Sequence, residues 1–453
     1  MTAGAHAAGV RSNPSARLHF WLAATTLLLA IVLGGGRGSL GDTATQLSAL
    51  ALLVAVGWRQ ASDDTGLPTL AWLAALPLVL PLIQLLPLPA DWLPATMARS
   101  ELATELGAIG LSLPAGIALF PSATERALHW LLPAVALYLA TLQMSSADRR
   151  RLLALLMVAA TAAVVVGIAQ MFGGPESALR FHDSRNATGA VGFFVNRNHY
   201  ASQLAMALPL VLVATAWAVS RRLDGRRVHG GWIAAGILLG VLLILGIALA
   251  RSRAGLLLGM LAIALSVPAM LSLRQRRGGR RVIAAIVAIG LLLSVQYALV
   301  GILERLEKDP ADDLRWVIAP ITLQAAEAHA PLGAGLGSFW YAYQPFEGDT
   351  VGAAIVNHAH NDYFELWLDG GWLAVLLLAP LLLAFLHAGW RVWRRQSQPS
   401  EAMLIARAAW IALLLALLHS TVDYPLRTTA NLAVAGMLAA LVLSPRRPDS
   451  AAR

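Results

Sequence analysis

Runs of about 20 apolar residues recur along the whole chain, and arginine collects in short clusters between them. A run of that length is what an α-helix needs to cross the hydrocarbon of a bilayer, because only there are all its backbone groups satisfied within the segment. Spans are expected at 18–35, 43–58, 67–87, 127–143, 152–172, 199–219, 232–250, 254–273, 282–303, 371–390, 402–419 and 429–444. The composition agrees with this reading. Only 13% of the 453 residues are charged and 58% are hydrophobic, with a mean hydropathy of +0.65, whereas about a quarter of a soluble domain is charged. The expected fold is therefore all-α, a polytopic transmembrane helical bundle of about twelve spans forming a single integral membrane domain over 1–453. The first run follows Arg11 and Arg17 but ends in Gly34-Gly35-Gly36-Arg37 without a small-x-small cleavage pattern, so an uncleaved first helix is expected.

The arginines set the orientation. With the amino terminus in the cytoplasm and twelve alternating spans, the dense clusters all fall on one side: Arg149-Arg150-Arg151, Arg221-Arg222 with Arg226-Arg227, Arg274 to Arg281, Arg391 with Arg394-Arg395, and Arg446-Arg447. That is the positive-inside arrangement, with both termini cytoplasmic. It also explains the net charge of +9 without nucleic acid, for which no binding is expected. There is no cysteine, hence no disulfide and no thiolate metal site.

Three substantial loops then lie on the opposite, non-cytoplasmic side: 88–126, 173–198 and the large loop 304–370 between the ninth and tenth expected spans. The last holds Asn357-His358-Ala359-His360-Asn361-Asp362. Histidine titrates near neutrality and suits proton transfer. The i, i+2 spacing of the two imidazoles serves a metal poorly, and no metal site is expected; the histidines capping the following helix is the plainer alternative. Upstream, Arg315 opens an expected helix ending near His329, and Gly333-Ala334-Gly335-Leu336-Gly337 reads as a tight turn. The aromatics Trp340, Tyr341, Tyr343 and Phe346 suit sugar stacking or the lipid interface. Arg251 and Arg253 flank Ser252 between two spans, on the side where arginine is otherwise sparse. Such cations need an anionic partner, either a carboxylate from another loop or a phosphate. Asn196-Arg197-Asn198-His199 gathers amides, an arginine and a histidine at the mouth of another span, and Asp423 and Arg427 close the last outer turn. Together these loops suggest a phosphate-bearing ligand at the outer membrane–water boundary.

Phe194-Val195-Asn196-Arg197-Asn198-His199, Ser252-Arg253-Ala254-Gly255 and His358-Ala359-His360-Asn361 followed by Gly371, in that order, resemble the motifs of the O-antigen ligase and polymerase superfamily of bacterial membrane glycosyltransferases. Gly333 to Gly337 and Asp423-Tyr424-Pro425 add to the match, and Ala254 departs from the glycine common after the arginine. The resemblance implies a GT-C-like fold in the bacterial inner membrane and metal-independent, inverting transfer of a glycan from an undecaprenyl-diphosphate carrier to an acceptor glycan, with no cofactor. It assigns His360 as general base and Arg253 and Arg315 to the diphosphate. Arg251, Arg197, Asn196, His358 and Asn361 are expected to bind substrate. The acceptor is a lipid-linked repeat unit in a polymerase, slightly preferred on the Asn-Arg-Asn-His motif, or lipid A–core in a ligase. Protein O-glycosylation and precursor transport are the alternatives. A transporter would carry its ionisable residues within the spans, which here are nearly free of them.

Overall fold

A computed structural model describes residues 14–36, 39–63, 70–182, 189–273, 314–348, 355–394 and 399–445. Among these residues the regular structure is helical throughout. The fourteen α-helices are α1 (Pro14–Leu33), α2 (Ser39–Asp63), α3 (Leu76–Gln84), α4 (Met97–Ala108), α5 (Pro121–Gln143), α6 (Ser146–Gly173), α7 (Arg197–Leu223), α8 (Gly230–Leu249), α9 (Arg253–Leu271), α10 (Arg315–His329), α11 (Phe339–Glu347), α12 (Asp362–Trp393), α13 (Glu401–His419) and α14 (Thr429–Leu443). Eight of them (α1, α2, α6, α7, α8, α9, α12 and α13) are long and apolar enough to cross a membrane. The expected span at 282–303 lies outside the described residues, as do Asp312 and Asp313.

Helix α7 is the central post. Its apolar window is 83% buried, against 61% or less for the other membrane-length helices, and it packs on α8, α9 and α13. Small residues permit this: Ala201, Ala205 and Ala207 of α7, Ala262 of α9 and Ala408, Ala409 and Ala412 of α13 are all buried in one core. Apolar side chains gain little from leaving lipid, so close backbone approach and dispersion hold such helices together.

The two ends of the bundle use arginine in opposite electrostatic senses. At one end the arginines take up the carbonyls that helix C-termini leave unpaired. Arg149 donates to the Leu142 and Ser444 carbonyls, Arg391 to Leu443 at 2.8 Å and Arg407 to Val392 at 2.7 Å. Cations there complement the negative end of the helix dipole. At the other end, arginines open helices. A helix of 27 residues such as α7 separates the two ends by about 40 Å.

Part of the expected large loop is helical. It contributes α10 and α11, and α12 begins at Asp362, nine residues before the expected span. Helix α12 is broken at Gly371, whose φ of 52° and ψ of −145° are not helical. The glycine-rich turn fills the break. Trp372 N–H donates to the Pro331 carbonyl, Ala334 N–H to Leu368 and Gly335 N–H to Asp369. Gln84 of α3 adds bonds to the Asp369 carbonyl and from Leu336 N–H. Gly333 has φ +77°, and a Cβ there would lie 2.5 Å from the Asp369 carbonyl oxygen. Gly333→Ala should therefore destabilise the protein by about 1–3 kcal/mol, read as a lowered Tm in detergent; an unchanged Tm would mean that the turn does not seal the break. Tyr343, expected at a sugar or a lipid, is instead fully buried and stacked on Phe339 within the core under α10 and α11. Tyr341 stacks on Phe120.

Candidate active site

Three helices open with an arginine, and the three arginines line one cavity. Local sequence explains the starts. Asn196 caps α7 by accepting from Asn198 N–H at 2.8 Å, which puts Arg197 at the first helical position. Ser252 caps α9 through Gly255 N–H at 3.0 Å, placing Arg253 likewise. Asn361 caps α12 by accepting from Tyr363 and Phe364 N–H at 3.0 and 3.1 Å, so His360 stands just before the helix. Arg315 opens α10 after Leu314, without a side-chain cap. Such caps are favourable because they satisfy donors that a helix start leaves unpaired.

The cavity holds about 310 Å³ and is lined by Arg197, Asn198, Ser252, Arg253, Ala254, Leu314, Arg315, Ile318, Ile355, Val356 and His360. No carboxylate is among these residues. An arginine in the first turn faces the positive end of its own helix, which costs free energy unless an anion sits there. Three such arginines around one cavity, with the start of α12 as a fourth N-terminus beside it, make an anion receptacle rich in backbone and guanidinium donors.

His360 faces this receptacle with its side chain 26% exposed, and Asp423 fixes the ring from behind: the imidazole Nδ1 lies 3.2 Å from the Asp423 Oδ1. An ionised carboxylate only accepts, so Nδ1 carries a proton, and it is Nε2 that presents the lone pair in the neutral imidazole. His360 adopts φ 50°, one of two non-glycine residues with positive φ among those described. Local strain of this kind persists where surrounding contacts over-determine it. Here Asp362 N–H is held by the Ser420 carbonyl at 2.9 Å and Ala359 N–H by Glu365 at 3.0 Å.

Asp423 is fully buried, between α13 and α14. Its Oδ2 accepts from the Asn198 amide and, at 3.4 Å, from Arg315; its Oδ1 also accepts from Tyr424 N–H at 3.0 Å. Burial by itself would raise its pKa, but the flanking imidazoles His199 and His360 hold it well below the ordinary carboxylate value. A depressed folded pKa means that its stabilisation is complete above the usual carboxylate range and is lost only as pH falls below it. The carboxylate is thus ionised throughout the neutral range in which an imidazole loses its proton.

The other expected site residues serve differently. His358 is buried, with Nδ1 2.7 Å from Glu365 Oε1 and its ring stacked on Tyr424 at 4.0 Å; it supports the wall and does not line the cavity. Asn361 and Asn196 act as caps, and Asn361 also donates to the Thr421 carbonyl. Arg251 is exposed at φ 52° and lies off the cavity lining. Sequence reasoning left Asp423, Asn198 and Arg427 without a role. Arg427, its side chain 14% exposed, stands among three carboxylates of α12: Asp369 at 2.7 Å, Glu365 at 3.2 Å and Asp362 at 3.6 Å. Burial opposes its charge, but the three acids outweigh that and raise its pKa. The i, i+3, i+7 spacing of those acids was the available signal, since it aligns them on one helical face that requires a cation.

The family model described as O-antigen ligase matches residues 238–379. Over that stretch the chain is similar to the O-antigen ligase family. The matched stretch runs from α8 into α12, just under a third of the chain, and contains Arg253, Arg315, His358 and His360. The other residues of the candidate site, Arg197 and Asn198 in the cavity lining and Asp423 behind His360, come from outside it. A search of the curated proteins gave no match.

Proposed function

We propose that this chain is a multi-pass inner-membrane glycosyltransferase that moves a glycan from an undecaprenyl-diphosphate carrier to an acceptor hydroxyl on the periplasmic side. The observation that carries the reading is the meeting of three N-terminal arginines and a carboxylate-held imidazole in one cavity. Arg253, Arg197 and Arg315 hold the diphosphate. His360 Nε2 takes the acceptor proton as the acceptor oxygen bonds to the anomeric carbon with inversion. The bond from that carbon to the phosphate oxygen breaks, and the electron pair leaves on the diphosphate, where the guanidinium groups stabilise the developing charge. No metal enters these steps.

The contrast between the two ends of the bundle supports this orientation. Arg149 and Arg391, which cap helix C-termini, belong to the clusters expected in the cytoplasm, and the cavity is at the far end of α7 and α12 from them. An apolar cavity of about 230 Å³ lies among α3, α5, α12, α13 and α14 and reaches Asp362 and Tyr363, within three residues of His360. Its chemistry suits a prenyl chain. A GT-C-like bundle and transfer to a lipid-linked repeat unit, as in a polymerase, complete the proposal.

Two measurements test it. Pyrophosphate should bind the purified protein, with affinity reduced about tenfold or more in Arg253→Ala and less in Arg253→Lys; equal affinities in all three proteins would remove the diphosphate contact. Incubation with lipid-linked repeat units should give a ladder of products without lipid A–core. A product formed only when core is added would make the protein a ligase.

A further inference from the structure

His199 neither lines the cavity nor caps a helix. Its side chain is 3% exposed, and Nε2 has no hydrogen-bond partner at ordinary distance among the described residues. Burying an imidazole nitrogen in that way is unfavourable, and an apolar residue would fill the space without the penalty. The atom Nε2 faces is Asp423 Oδ1, at 3.8 Å. That same oxygen accepts the hydrogen bond from His360 Nδ1. The two imidazoles flank Tyr424 in matching fashion, both edge-on, with ring centroids at 4.6 Å for His199 and 5.1 Å for His360. One carboxylate oxygen thus serves two histidines from two different helix starts, α7 and α12.

We propose that His199 is a positioning residue that divides the Asp423 carboxylate with His360 and so sets how strongly that carboxylate holds the catalytic imidazole. The proposal rests on His360 being the base. A proton on His199 Nε2, directed at Oδ1 across 3.8 Å, draws charge density away from the His360 Nδ1–H bond and makes Nε2 of His360 less basic. A second proton on His199 strengthens the effect by direct repulsion. The other groups around the pair are Arg315 and the Asn198 amide on Oδ2, Tyr424 between the rings, and His419 at the end of α13, within electrostatic reach of both His199 and Asp423. His199 is therefore placed to weaken the hold of Asp423 on the base.

The test is the titration of His360 in protein labelled with 13C-histidine, in detergent and without any glycan, with the resonance assigned through His360→Asn. His360 should titrate at least about half a pH unit higher in His199→Phe than in wild type. His199→Gln, whose amide nitrogen stands near the place of Nε2, should fall between the two. His199→Met replaces the phenylalanine variant if that one does not fold. A midpoint in the apolar variant equal to or below wild type, or a glutamine variant displaced as far as the apolar one, overturns the assignment. Because no transfer is read, failure here is separable from failure of the proposed reaction, which would show as full transfer by His360→Ala.

Discussion

His360→Ala is expected to lower kcat for glycan transfer by about 10²–10⁴-fold while leaving pyrophosphate affinity within about threefold of wild type. The split follows from the geometry. In the proposed reaction the imidazole supplies the atom that takes the acceptor proton, whereas the anion would be held by the guanidinium groups of three other helices that line the same cavity. The side chain is one-quarter exposed and its only hydrogen bond is to Asp423 among the described residues, so its removal costs the fold little. Alanine also relaxes poorly at φ 50°, so His360→Asn, which tolerates the left-handed region, is the companion variant. Transfer by either variant at more than one-tenth of the wild-type rate would remove His360 as the base.

Arg427→Met should destabilise the protein by about 3–5 kcal/mol, enough to lose most folded material on heating in detergent. Three carboxylates of one helical face share this guanidinium. Removing it strands them in a buried site, and the unpaired acids then repel one another. The damage should spread to the site, because Glu365 also holds His358 and Ala359 N–H, and so fixes the segment leading to His360. Arg427→Lys should recover part of the loss, since one ammonium cannot reach all three acids as a planar fork does. A Tm for Arg427→Met within a few degrees of wild type would mean that the acids are neutral in the folded protein and that the cluster is not held by charge.

Much of the site was legible locally. Asn-Arg, Ser-Arg and His-Asn-Asp are short-range signals, in which a capping side chain fixes where a helix begins and therefore where the charged neighbour stands. The apolar runs were legible for the same reason, since a spanning segment satisfies its backbone internally whatever its neighbours do. The extent of the large loop was not. Asp362, Glu365 and Asp369 look like loop polarity in sequence, and they become a helical face only because Arg427, some 60 residues later, neutralises them. Tyr343 was misjudged for a related reason, because burial against Phe339 depends on how α10 and α11 fold back together.

By itself the sequence determined the membrane as solvent, the helical architecture, and the residue types present at each helix start, because these rest on interactions between near neighbours in the chain. Only the tertiary structure decided that Arg197, Arg253 and Arg315 share a cavity while Arg251 does not, and that Asp423 stands behind His360. Those pairings join positions 56 to 118 residues apart along the arginines and 63 residues apart for the imidazole and its carboxylate. Electrostatic complementarity says that each cation and each buried acid needs a partner; helix packing alone selects which one it meets.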